Sequence, residues 1–253
     1  MAREWGLPPV APYKPRSREA KMEIRTRLGH NYVTTTELAL TSTLAAVYIV
    51  STFFPLTPFI GGPAFITLEI VMLPVIAAIL RPVLATATAL IGSLGMALAQ
   101  TSLYVAFGLP GLLVPVLAVA LGSVAFHYRW GPIAPWAYVL AGAVYYILFS
   151  KGGTLFWLAP YTLVVISLPV ALKAKDPYRI GLLALYTAMS EQVTMNILSI
   201  AVLNFPGSIW TVITPLMLTE RTIATLGGFV IIVALKSRLG TRLELGHFLR
   251  EVK

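Results

Sequence analysis

The chain has 253 residues, of which 57% are hydrophobic and only 11% charged, with a mean hydropathy of +0.81. A soluble domain carries about 25% charged residues, so the composition is that of an integral membrane protein and not of a soluble domain. The net charge of +9 sits in the tails and at the ends of apolar runs, which argues against a nucleic-acid partner, and the lack of cysteine excludes disulfides, thiolate metal sites and cysteine nucleophiles.

Residues 1–36 read as a basic tail, with no signal peptide in front of the first apolar run. Pro8, Pro9, Pro12 and Pro15 keep its first part extended. Ser17 to Leu28 fits either a disordered tail or a short amphipathic helix. In the helix, Ala20, Ile24 and Leu28 form a thin apolar stripe among Arg16, Arg18, Lys21, Arg25 and Arg27, suited to an anionic leaflet.

A membrane span takes roughly 20 apolar residues. The expectation is an all-α polytopic membrane protein with eight spans at 37–56, 64–80, 82–105, 109–126, 132–150, 154–172, 180–203 and 208–235, with six spans as the alternative. An even count puts both termini on one side. With that side inside, the seven basic residues of the tail fall inside, as do Arg81, Arg129, Lys173, Lys175, Arg179, Lys236, Arg238, Arg242, Arg250 and Lys253. The outside loops hold only Lys151. This asymmetry obeys the positive-inside rule. It places the chain in the cell membrane, with 1–36 and 236–253 as cytoplasmic tails.

The stretch from Pro63 to Gln100 is two apolar runs hinged at Arg81-Pro82, read as an antiparallel helical hairpin. Its second run has small residues four apart, Ala85, Ala89, Ser93 and Ala97, a seam that lets a partner helix approach closely in lipid. The two halves of the chain, 37–126 and 132–235, also resemble each other. Thr67-Leu68 and Leu73-Pro74-Val75 match Thr162-Leu163 and Leu168-Pro169-Val170; Ala46-Val47-Tyr48 matches Ala143-Val144-Tyr145; Pro110-Gly111 matches Pro206-Gly207. The nearly constant offset suggests two parallel four-helix repeats, a plan in which solute sites lie between the halves.

Ionisable residues inside apolar spans are costly and mark candidate sites. They are Glu69 near the outer end of the second span, Glu191 in the seventh, and Glu220 and Arg221 in the eighth. Adjacent helical residues do not face each other. One arrangement therefore pairs Arg221 with Glu191 and leaves Glu220 for a neighbouring helix, a ligand or a proton. Gln192, Asn196 and Ser199 share one helical face. These groups suit either a polar ligand or the joining of helices. Gln100, Thr101 and Ser102 form a second polar cluster, and Trp157, Trp210, Tyr104 and Tyr161 read as interfacial belt residues. His30, His127 and His247 lie outside or at the edge of the apolar runs, so no bis-histidine haem site is expected inside the bilayer. No catalytic set or phosphate loop occurs, so neither an enzyme nor a cofactor is expected.

The run Ile66 to Leu98, with Ile66-Thr67, Leu73-Pro74 and the turn at Pro82, resembles the substrate-capture (S) components of energy-coupling-factor transporters. Arg81 stands where those chains usually have glycine, and their Ala-x-x-x-Ala in the first span is here Ala39-x-x-x-Thr43 or Ser42-x-x-x-Ala46. The resemblance covers about residues 37–105. It implies uptake of a vitamin-like or metal solute, a transmembrane coupling subunit docked on the first span, and partner ATPases. The expected solute-binding residues are Glu69, Glu191, Asn196, Glu220 and Arg221. The alternatives are a structural subunit of a larger membrane complex and a standalone proton-coupled carrier.

Overall fold

A computed structural model describes residues 33–60, 64–98 and 103–239. The segment Ser17–Leu28, the cluster Gln100–Ser102, the Tyr104 side chain and residues 240–253 lie outside the described residues. Contacts divide the chain into Met1–Thr36 and Glu37–Lys253, and the second unit is described below.

The described residues are almost entirely helical. In chain order they form α1 (Thr35–Ser51), strands β1 (Pro55–Pro58) and β2 (Phe65–Thr67), a 3-10 turn (Leu68–Val71) running into α2 (Met72–Ile79), and α3 (Pro82–Leu98). There follow α4 (Leu103–Phe107), a turn (Leu109–Leu112) into α5 (Leu113–His127), α6 (Ile133–Phe149) and a turn (Leu155–Leu158) into α7 (Ala159–Lys173). The chain ends in α8 (Tyr178–Ala201) and α9 (Ile209–Leu239). Three of these segments are long and apolar enough to cross a membrane: Leu109–His127, Leu155–Lys173 and Ile209–Arg238.

The expected spans need two corrections. The span 64–80 is not one helix: its first residues pair with β1, and the helical part from Leu68 to Ile79 is twelve residues. At 1.5 Å per residue that is about 18 Å, against a hydrocarbon core of about 30 Å. The span 37–56 ends at Ser51, because Pro55 and Pro58 lie in a strand and suit its edge better than a helix interior. The antiparallel pairing of Pro55 with Thr67, and of Thr57 with Ile66, closes a small hairpin where only helix was expected. One repeat match falls in unlike elements, since Thr67 ends a strand whereas Thr162 lies inside α7, while residues 73–75 and 168–170, and 46–48 and 143–145, are helical in both halves.

The centre of the fold is α8, which packs against α2, α5, α6, α7 and α9. Every residue from Tyr186 to Asn196 is buried. That enclosure explains how one helix can carry Ser190, Glu191, Gln192, Thr194 and Asn196, since their neighbours are protein and not lipid. Small residues make the close approach possible. A Cβ on Gly122 of α5 would sit 2.3 Å from the Thr187 hydroxyl, and one on Gly142 of α6 would sit 2.5 Å from Val193.

The seam Ala85, Ala89 and Ser93 is fully buried and is filled by the chain's own helices; α3 packs on α5, with Tyr48 of α1 and Leu73 and Ile76 of α2 in the same cluster. Ala97 is half-buried, and Ala39, Ser42, Thr43 and Ala46 lie exposed on α1. At one end of the bundle Val75, Phe126, Ile180, Leu183 and Ile232 form a core cluster. Arg81 Nε meets Glu37 Oε1 at 2.8 Å, and Lys236 pairs with Asp176. At the other end, Lys151 donates a hydrogen bond to Asn204.

Candidate functional site

The hairpin, α8 and α9 line a half-open cavity, whose unfilled space of about 430 Å³ is mostly open solvent at its mouth. Non-helical backbone at membrane depth is tolerated only where it is buried in protein or lines a cavity. The hairpin meets that condition, supplying Pro58, Phe59, Ile60 and Ile66 to the wall. The face of α8 with helical spacing supplies Gln192, Met195, Asn196 and Ser199, and α9 supplies Trp210, Met217 and Glu220. Trp157 and Phe205 complete it.

The aromatic wall is one packed unit. Trp157 and Trp210 meet edge to face at 5.0 Å, Phe205 meets Trp210 at 5.8 Å, and Tyr146 supports Trp210 at 5.2 Å. Trp157, Trp210 and Tyr161 are all buried. The expectation that these three form an interfacial belt is therefore corrected: they are interior residues of the bundle end. An amphipathic aromatic suits a cavity wall as well as a headgroup layer, and sequence position alone does not separate the two.

Four ionisable residues are buried around the cavity and its floor: Glu69, Glu191, Glu220 and Arg221. Arg221 Nη1 donates to Glu191 Oε2 at 2.5 Å and to the Ala188 carbonyl at 3.0 Å. The pairing suggested by the spacing of the last two helices is present, and it fixes α9 against α8. Glu220 points the other way. Its Oε1 accepts a hydrogen bond from Thr57 of the hairpin, and its Oε2 lies 3.7 Å from Arg221 Nη2. Glu69 opens the 3-10 turn before α2. It lies within electrostatic reach of Glu191 and Arg221, its Oε2 has no hydrogen-bond partner, and it is not part of the cavity wall.

The polar groups facing the cavity are under-satisfied. Asn196 is 1% exposed, and neither its Oδ1 nor its Nδ2 has a partner; Gln192 Oε1 also has none. A buried polar atom without a hydrogen bond costs about 1–3 kcal/mol. The Asn196 amide and Gln192 Oε1 thus sit one turn apart at the cavity with hydrogen-bonding capacity unused. Among the described residues no group of three His, Cys, Asp or Glu side chains converges as a metal cage would require.

Glu220, Asn196 and Gln192 thus meet at one cavity, with Glu191 and Arg221 behind Glu220. Sequence reasoning missed Phe59, Trp157, Phe205 and Trp210. The signal available for Phe59 was the spacing of Pro55, Pro58 and Pro63, with Gly61-Gly62, which breaks helix between the first two apolar runs. No family model matches the chain, and no curated protein or solved structure is significantly similar to it.

Proposed function

We propose that the chain is a membrane-embedded substrate-binding subunit for uptake of a small solute, of the kind its first hairpin resembles. The observation that carries this reading is the unpartnered Asn196 amide together with the unpartnered Gln192 Oε1, both at a cavity roofed by the β-hairpin. A purely structural subunit would gain stability by satisfying or replacing them, whereas a bound solute satisfies them itself. Large exposed side chains such as Val83, Leu148, Ile166, Val212 and Val230 give the bundle an apolar exterior suited to lipid.

In this reading the chain crosses the cell membrane eight times, with the β-hairpin completing the short second crossing. The end bearing Arg81, Arg129, Lys173 and Lys236 faces the cytoplasm, together with both termini. The two halves then share the site, since Phe59 and Ile66 come from the first and Trp157, Asn196 and Glu220 from the second. The exposed row Ala39, Ser42, Thr43 and Ala46 on α1 is the face for a transmembrane coupling subunit driven by ATPases.

The test is extraction of the native protein in mild detergent, followed by mass spectrometry of everything retained. A small molecule that is lost in Asn196→Leu, together with a second membrane subunit and ATPases, is the expected result. Stable unrelated membrane subunits with no small molecule would make the chain a structural part of a larger complex.

A standalone proton-coupled carrier has one observation in its favour, the unpartnered Glu69 carboxylate oxygen beside Glu191 and Arg221. Uptake by such a carrier collapses with the pH gradient and survives ATP depletion.

A further inference from the structure

We infer that the cavity takes a small organic cation, held by the Glu220 carboxylate and the aromatic faces of the wall, with Gln192 and Asn196 reading its polar edge. The inference rests on the solute-binding reading above and adds the chemical class of the solute.

The first argument is charge. Of the buried ionisable residues Glu69, Glu191, Glu220 and Arg221, Glu220 lines the cavity, with Arg221 and its partner Glu191 behind it. Arg221 uses Nη1 for Glu191, at 2.5 Å, and for the Ala188 carbonyl, while its buried Nε and Nη2 have no hydrogen-bond partner. Its contact to Glu220, at 3.7 Å, is longer than a hydrogen bond. Among the described residues Glu220 is the only charged one in the cavity wall, and no Lys, Arg or His lines it. Thr57 supplies one neutral hydrogen bond to Glu220 and no charge. A buried carboxylate so placed favours a positively charged occupant and repels an anionic one.

The second argument is the aromatic part of the same wall. Trp157, Trp210 and Phe205 stand in the same wall as Glu220. Aromatic faces attract cations through their quadrupole, and more strongly where water is excluded. A neutral apolar solute would leave Asn196 and Gln192 Oε1 without partners and the Glu220 charge without a counter-charge in the wall. An anion would meet the carboxylate. A cation that also donates and accepts hydrogen bonds at an edge answers Glu220, Asn196 and Gln192 together.

Three matched probes test the inference on the purified full-length protein in detergent, by calorimetry and by the fluorescence of the wall tryptophans. They are benzyltrimethylammonium, its neutral isostere neopentylbenzene, and the anion phenylacetate. The expected result is that the cation binds at least about tenfold more tightly than the neutral isostere, and that phenylacetate does not bind. In Glu220→Gln, whose amide oxygen still accepts from Thr57, that preference falls by about tenfold while the isostere binds as before. Equal or tighter binding of the neutral or anionic probe by the native protein overturns the cation inference and leaves the solute-binding reading standing. Binding of none of the three, with no small molecule retained after gentle extraction, overturns both. The comparison of probes on the native protein holds whether or not the variant folds.

Discussion

The Thr57 hydroxyl donates a hydrogen bond to Glu220, joining positions 163 residues apart. It ties the β-hairpin to α9 at the cavity wall, so the carboxylate in that wall also anchors the roof. Thr57→Val keeps the β-branched shape and removes the donor. A hydrogen bond to a charged group contributes about 1.5–3 kcal/mol. The backbone amides of β1 and β2 should therefore exchange with solvent at least about tenfold faster in the variant, as read by hydrogen-exchange mass spectrometry. Unchanged exchange would show that the strand pairing alone holds the roof.

Arg221 and Glu191 form a buried ion pair, and such pairs are far more sensitive to losing one member than to losing both. Removal of one partner typically costs about 3–5 kcal/mol, while replacement of both by apolar groups is often close to neutral. Arg221→Met and Glu191→Met should each lower the thermal midpoint in detergent strongly, and the double variant should recover most of the loss. A double variant as unstable as the sum of the two singles would rule out a direct coupling across the α8–α9 contact.

Close packing on α8 predicts an intolerant position at Gly122. A side chain there meets Thr187, with even a Cβ at 2.3 Å from the hydroxyl. Gly122→Val should destabilise the bundle by about 1–3 kcal/mol through overpacking, seen as a lower thermal midpoint. Thr187→Ala in the same chain should restore part of it, because the Thr187 side-chain atoms meet that Cβ most closely.

The chain has no cysteine, so a single introduced one is a unique label. In intact cells, Lys151→Cys should react with a membrane-impermeant maleimide. Arg129→Cys should react only after the membrane is opened. The reverse pattern would invert the proposed orientation.

Much of the helical layout was legible because proline, glycine and charge punctuate the apolar runs, and the helix ends fall within a few residues of those marks. The Arg221–Glu191 contact was legible because ionisable residues on adjacent apolar helices have few alternative partners. The face holding Gln192, Asn196 and Ser199 followed from helical spacing. The hairpin at 55–67 was not legible as a roof, because an apolar strand over a cavity and an apolar helix in lipid draw on the same residues. Trp157 and Trp210 failed for a related reason: an indole satisfies a headgroup layer and a cavity wall equally. The seam at Ala85, Ala89 and Ser93 marks close packing, but spacing does not reveal that its neighbours are α1, α2 and α5 of the same chain.

The enclosure of α8 also bears on how the protein is made. A segment bearing Glu191, Gln192 and Asn196 at its centre is a poor candidate for release into lipid by itself, and so is one bearing Arg221, since a central charge opposes insertion by about 2.5–3.5 kcal/mol. The loop 202–208 is short enough for the two helices to leave the insertion machinery together, with Arg221 already meeting Glu191. Biosynthesis would then hold α8 back until α9 emerges from the ribosome. A nascent chain ending at Val202, tethered by a polar extension long enough to fill the ribosome exit tunnel, should retain α8 in the translocation channel, as site-specific crosslinking would reveal, and one ending at Lys236 with the same extension should release both.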